Sequence, residues 1–234
     1  MITCRQLTKV YGSNPQERAL DGVGFQIDKG EFVLLRGPMG AGKTTLFRLL
    51  CGLTEPTSGV LEVGGLRLPA TRRALAALRR RMGVIEQEPR LIEELSVFDN
   101  AALGLEVLGV RGAALKRRTL AALRALSLEA QAAESVRRLS AGQRQKVCVA
   151  RALATEPLIV LADEPCRHLD TNGAAEVLSL LRWLNLQGST IVAVAGECWP
   201  GAAGVLEVAA RVLWLERGRL VEPPAEAQEA PCVC

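Results

Sequence analysis

Apolar residues along this chain follow two rhythms. Four short runs are almost continuously apolar: Phe32-Val33-Leu34-Leu35, Met82-Gly83-Val84-Ile85, Leu158-Ile159-Val160-Leu161-Ala162 and Thr190-Ile191-Val192-Ala193-Val194-Ala195. Runs of that length, apolar at every position, predict strands buried on both faces, as in a parallel sheet covered by helices. Between them the spacing changes to three and four. Leu46 to Leu50, the Arg- and Ala-rich stretch 71–81 with Leu75 and Leu78, Ala101 to Leu108, Leu115 to Leu128 and Ala174 to Leu186 predict helices, the last closed by Gly188. Residues 1–35 alternate in short pieces punctuated by Gly12, Gly22, Gly24 and Gly30, and residues 59–65 read as a short strand and turn. Arg211 to Leu215 and Arg219 to Val221 flank Arg217-Gly218, a hairpin signal. The pattern predicts an α/β fold with a mostly parallel core sheet, an N-terminal antiparallel β subdomain and a helical subdomain over about 90–150. One domain is expected over residues 1–222, followed by a Pro-, Ala- and Glu-rich tail from Pro223 that reads as disordered.

Composition narrows the partners. Aromatic residues are 3% of a chain that is 49% hydrophobic, so the core is expected to be built from Leu, Val, Ile and Ala. A net charge of +4 is mild, and the shortage of aromatic rings argues against a base-stacking surface, so no nucleic-acid partner is expected. Lys116-Arg117-Arg118 reads as a solvated helix face. No apolar run reaches the 18 residues of a membrane span, and Met1-Ile2-Thr3-Cys4-Arg5 lacks the character of a secretory signal; a cytosolic protein is expected. Seven scattered cysteines, an odd number, read as reduced thiols, and Cys232 with Cys234 is too small a set for a closed zinc site.

The chemistry begins at Gly37-Pro38-Met39-Gly40-Ala41-Gly42-Lys43-Thr44-Thr45, which joins one predicted strand to a predicted helix. It fits G-x-x-x-x-G-K-[ST] at every fixed position, the pattern of a P-loop. Glycines let the backbone curl its N–H groups around phosphate oxygens, and the helix offers its positive end to the same anion. Lys43 can reach the β- and γ-phosphates, and the Thr44 hydroxyl can sit on Mg²⁺. The strand Leu158 to Ala162 ends in Asp163-Glu164, at the rim where such sheets bind ligands. Asp163 can hold Mg²⁺ through water, and Glu164 can polarise an attacking water. Leu139-Ser140-Ala141-Gly142-Gln143-Arg144-Gln145 reads as a helix start capped by Ser140.

These motifs in this order resemble the nucleotide-binding subunits of ABC transporters, over essentially residues 1–222. Leu139 to Gln145 is similar to the family signature L-S-G-G-Q, with Ala141 for its first glycine. Tyr11 falls where the family stacks a ring on adenine, Gln87 at its Q-loop, and His168-Leu169-Asp170 at its dimer-contacting D-loop. The resemblance implies ATP and Mg²⁺ as ligands. It implies a cradle of Gly37, Pro38, Met39, Gly40, Ala41, Gly42, Lys43, Thr44 and Thr45, metal contacts from Thr44, Gln87 and Asp163, and catalysis by Glu164 with Lys43 and Gln87. It further implies a homodimer in which Ser140, Gly142 and Gln143 reach the nucleotide of a second copy, and an integral membrane subunit, with this chain peripheral at the inner face of the cell membrane. Arg79 to Ile92 resembles the cell-division (FtsE) subgroup, which works with a membrane protein of FtsX type, although Glu86 stands where that subgroup has an aromatic residue. Lipoprotein-release and macrolide-efflux ATPases, and a regulatory ATP-binding module with little turnover, are the alternatives. The chain departs from the family at Gly196, where a histidine contacts the γ-phosphate, and at Cys166 and Arg167, which replace a small polar pair. The loss at Gly196 predicts slow hydrolysis, or hydrolysis that needs a partner.

Overall fold

The computed structural model describes residues 1–12, 17–195 and 211–224. Gly196, Cys198, Cys232, Cys234 and the tail beyond Pro224 lie outside them, so the expectations on those residues do too.

The apolar runs become the middle of a mixed sheet. β3 (Phe32–Arg36), β6 (Met82–Ile85), β7 (Ile159–Asp163), β8 (Thr190–Val194) and β9 (Arg211–Glu216) run parallel, and β10 (Arg219–Val221) folds back antiparallel on β9. The order is β10-β9-β3-β8-β7-β6. Continuous hydrophobicity is required because alternate side chains enter different cores. Phe32 and Leu34 enter one cluster, and Val33 and Leu35 the other. A second, antiparallel sheet holds β1 (Ile2–Val10), β2 (Arg18–Ile27), β4 (Ser58–Val63) and β5 (Leu66–Leu68) in the order β2-β1-β4-β5. Its inner residues Ile2, Leu7, Leu20, Ile27 and Leu61 pack with Leu46, Leu49 and Leu50 of α1 (Lys43–Leu50) on one face of the mixed sheet.

The other face is covered by α3 (Val97–Val107), α4 (Gly112–Ala125), α5 (Ala141–Leu153) and α6 (Thr171–Leu186), which bury Ala101, Leu123, Val147 and Leu181 in one cluster with Val160 and Ala162. α2 (Arg72–Arg79) starts at Thr71, whose side chain caps it. Four helices begin before the periodicity indicates: α1 at Lys43 and α4 at Gly112, neither with a side-chain cap, and α3 and α6, where polar caps precede the apolar stripes. Ser96 accepts from Asp99 N and carries α3 back from Ala101 to Val97. Asp170 accepts from Gly173 N at 2.7 Å and carries α6 back from Ala174 to Thr171. Lys116 and Arg117 are exposed on α4, while Arg118 is half-buried and pairs with Glu156 at 3.6 Å.

Register sets the site. Leu35 of β3 lies opposite Val194, Val194 opposite Asp163, and Ala162 opposite Ile85. The carboxyl ends of four strands therefore finish on one rim. Cys4, Cys51, Cys148 and Cys166 are buried free thiols, and burial pushes Cys4 up to about 12. Among the described residues no helix is long and apolar enough to cross a membrane.

A fully buried side chain ties the loop after β6 to α3. Asn100 accepts from Ile92 N at 2.8 Å and donates to Ile92 O at 2.9 Å and Ser96 O at 3.0 Å. Asn100→Ala leaves those backbone groups without their partner in a dry site, and the expected loss is about 1–3 kcal/mol of unfolding free energy. Chemical denaturation checks it; an unchanged midpoint would show that the loop re-pairs without Asn100.

Candidate nucleotide-binding site

The loop after β3 is shaped by positions that tolerate no side chain. Gly37 has φ 146°, and a Cβ there would stand 1.9 Å from the Leu215 carbonyl oxygen. Gly42 has φ 103°, and a Cβ would meet the Ala19 carbonyl oxygen at 2.3 Å. Gly42 also opens α1 with no side-chain cap and no acid in the first turn, so the N–H groups of that turn are left for an anion. Ala41 is buried and Met39 is 88% exposed, so the loop is anchored at one point and open at its crest. Lys43 Nζ donates to the carbonyl oxygens of Gly37 at 2.6 Å and Pro38 at 2.9 Å. The ammonium is thus held over the loop by the loop itself.

Beside the loop is a polar cleft of about 510 Å³. Tyr11, Thr44, Gln87 and Asp163, from four separate elements or loops, all line it. Tyr11 is 43% exposed, with Lys9 Nζ 5.0 Å from its ring centre. Asp163 is 3% exposed, and no donor among the described residues bonds its carboxylate. Burial first, then the charge of Glu164, push its pKa up to about 6, against the opposing pull of Lys43 and Arg48. A desolvated carboxylate with no donor is well suited to a cation. No cluster of three His, Cys, Asp or Glu side chains stands among the described residues. A cation here would therefore rest on Asp163, the Thr44 hydroxyl and the Gln87 amide oxygen, with phosphate oxygens completing its shell. That set fits Mg²⁺, which takes few protein ligands and hard oxygen donors.

Glu164 follows in the left-handed region, with φ 47°, and its N–H donates to Val194 O at 3.0 Å. Gln87 Nε2 donates to Glu164 Oε2 at 3.2 Å, which leaves the Gln87 oxygen for a cation. Arg167 Nη1 reaches the same Oε2 at 3.4 Å.

The predicted residues fall into two groups. The loop, Tyr11, Gln87, Asp163 and Glu164 share the rim region, whereas Ser140, Gly142 and Gln143 do not line the cleft. Ser140 is exposed at the start of α5, where it and Gln143 cap each other: Gln143 N donates to Ser140 Oγ at 3.2 Å and Ser140 N to Gln143 Oε1 at 2.9 Å. A Cβ on Gly142 would stand 2.8 Å from the His168 carbonyl oxygen, so the capped helix start lies directly against the turn 167–170. His168 is exposed there with φ 64°.

The motifs left out several cleft residues, among them Phe47, Arg48, Glu86 and Arg90. Phe47 and Arg48 were readable in principle, since they stand three and four positions after Thr44 on one helix and share its face. Glu86 and Arg90 pair at 3.2 Å in the loop after β6, where the motif marks Gln87 alone as a site residue.

The sequence profile of the ABC transporter family matches residues 20–167. The chain is 38% identical to the cell division ATP-binding protein FtsE of Mycobacterium tuberculosis over 222 residues, 94% of both chains. It is 40% identical to the methionine import ATP-binding protein MetN of Leifsonia xyli, over 94% of this chain but only 64% of that one. Among solved structures, a dimeric ATP-binding cassette in a post-hydrolysis state with ADP and phosphate superposes with a TM-score of 0.85 and 31% identity, covering 98% of this chain and 100% of that one.

The raised Asp163 has a consequence for stability. The fold binds its proton more tightly than the unfolded chain does, so this group favours folding most below its ordinary value of 3.8. That contribution is lost as pH rises to about 6. At neutral pH the buried charge costs up to about 3 kcal/mol in the nucleotide-free protein. Asp163→Asn is expected to stabilise that form by about 1–3 kcal/mol at pH 8 and by much less at pH 4. Denaturation curves at the two pH values decide it; a gain independent of pH would mean the carboxylate is not desolvated.

Proposed function

Because this chain belongs to the ABC transporter family as an ATP-binding subunit, we propose that it binds ATP with Mg²⁺ in the cleft beside residues 37–45 and hydrolyses it with Glu164. The observation that carries this reading is the convergence of Tyr11, Thr44, Gln87 and Asp163 on one cleft next to the phosphate loop. Tyr11 offers a ring face to the base. The first-turn N–H groups of α1 and the Lys43 ammonium receive the phosphates. Thr44, Gln87 and Asp163 would hold the metal, which would supply positive charge against the negative charge developing on the phosphates. Glu164 orients and polarises the attacking water.

A complete site takes two copies in this reading. Ser140 and Gly142 are at the surface or half-buried, away from the cleft of their own chain, in a position to meet the nucleotide of a second one. The dimeric ADP- and phosphate-bound cassette that this chain resembles supports a homodimer. We assign an FtsE-like role in cell division, coupled to an integral membrane subunit of FtsX type on the cytoplasmic side. The match to a cell-division ATP-binding protein along 94% of both chains and the resemblance of residues 79–92 support it. Gly196 in place of the family's histidine favours slow turnover by the isolated chain.

Steady-state hydrolysis with Mg²⁺ by the parent and by Glu164→Gln tests the assignment. The expected parent rate is below about 1 per second, against a typical enzyme value of about 10 per second, and the variant is expected to fall at least about a hundredfold further. Turnover of tens per second would remove the slow-turnover reading, and an active variant would remove Glu164 from the chemistry. ATP bound without turnover in either protein would make the chain a nucleotide-gated module. Separately, Lys43→Ala is expected to weaken ATP binding at least about tenfold, measured by titration with a fluorescent nucleotide; unchanged affinity would place the phosphates elsewhere.

A further inference from the structure

We infer that Arg167 is a positioning residue for the Glu164 carboxylate, fixing which of its oxygens faces the reacting water. The inference rests on the reading of Glu164 as the group that polarises that water.

Two donors converge on a single oxygen. Gln87 Nε2 approaches Glu164 Oε2 at 3.2 Å from the end of β6, and Arg167 Nη1 approaches it at 3.4 Å from the turn that follows β7. Oε1 receives no hydrogen bond from the described residues. The terminal torsion of a glutamate is otherwise broad, so holding one oxygen from two directions selects the other for water. Arg167 has no other ion pair among the described residues.

The backbone aims Arg167 at this contact. Glu164 takes a left-handed conformation, and Arg167 N donates back to Glu164 O at 3.0 Å, closing a tight turn. Pro165 and Cys166 inside the turn are buried, and buried Gln145 of α5 donates to Pro165 O at 3.3 Å. The turn is therefore anchored, and its arginine folds onto the carboxylate three residues earlier. Gln87 also has to serve the cation through its amide oxygen, so Arg167 is the holder with no second task.

The two side chains are 42% and 27% exposed, so water screens the charge between them. Misalignment of the carboxylate acts on the reacting geometry directly.

The test compares parent, Arg167→Ala, Arg167→Lys, Glu164→Gln and the Arg167→Ala/Glu164→Gln double variant, each as the full chain with Mg²⁺ and ATP in single-turnover and steady-state assays. Arg167→Ala is expected to lower kcat roughly five- to tenfold with KM for ATP unchanged, and Arg167→Lys to recover most of the rate. The Mg²⁺–ADP dissociation constant of Arg167→Ala should stay within about twofold of the parent, because the residue acts on water and not on binding. Adding Arg167→Ala to Glu164→Gln should cause no further loss. An Arg167→Ala rate equal to or above the parent, with Glu164→Gln inactive, overturns this inference alone. A raised KM with normal kcat also overturns it. Residual activity in Glu164→Gln close to the parent, or a parent silent even in single turnover, overturns the reading of Glu164 and this inference with it.

Discussion

The site depends on one constraint, the parallel register of the central strands. Leu35, Val194 and Asp163 lie across from one another on β3, β8 and β7, so the loop leaving β3 and the acids ending β7 finish at the same height. A slip of one residue would turn every side chain of a strand to the opposite face. In these strands both faces are apolar, so a slip costs less in burial than in a half-exposed strand. The punctuation at the rim supplies the specificity. Gly37 fits only against the Leu215 carbonyl of β9, and Glu164 N bonds Val194 O. These backbone contacts at the strand ends tie β3 to β9 and β7 to β8, and so fix the register that the apolar interior leaves loosely determined.

The rim also explains why a stable fold tolerates an unfavourable charge. Asp163 closes a strand whose five residues are all buried, and it is desolvated because β7 must be covered on both sides. Its proton is held more tightly than in water, with Lys43 and Arg48 only partly offsetting burial. The cost is carried by the nucleotide-free chain. In the proposed complex a cation at Asp163 would relieve it, so that binding would gain free energy from a charge that folding had already placed, a form of preorganisation.

How much of this could be read from residues alone depended on the range of the interaction. Residues 37–45 and 158–164 were legible because local backbone geometry and strand burial both dictate their composition. Ser140 was legible as a cap, and its partner Gln143 sits at the spacing of a capping box. The start of α3 was not legible from periodicity, because a cap at Ser96 lies outside the apolar stripe. Asn100 was missed for a different reason. A single polar residue in an apolar helix carries no sign of the loop it bonds, and only the fold brings Ile92 to it. Glu86 and Arg90 line the cleft beside Gln87, but the pattern of that loop singles out only Gln87.

The turn after β7 shows how one short segment can serve two surfaces. Glu164 faces the rim, where Gln87 and Arg167 hold it. A few residues on, the His168 carbonyl lies against Gly142, and Asp170 caps α6. A side chain larger than hydrogen at Gly142 would push on this turn, and through the turn on the carboxylate. The start of α5 and the hydrolytic rim are therefore joined by a rigid backbone contact within one chain. If the exposed Ser140 meets the nucleotide of a second copy, as the proposed dimer requires, each copy's engagement of its partner's nucleotide bears on its own Glu164 through this contact. The contact chain from Ser140 and Gly142 through the His168 carbonyl to the turn that carries Glu164 lies within one copy and spans fewer than ten residues of each segment.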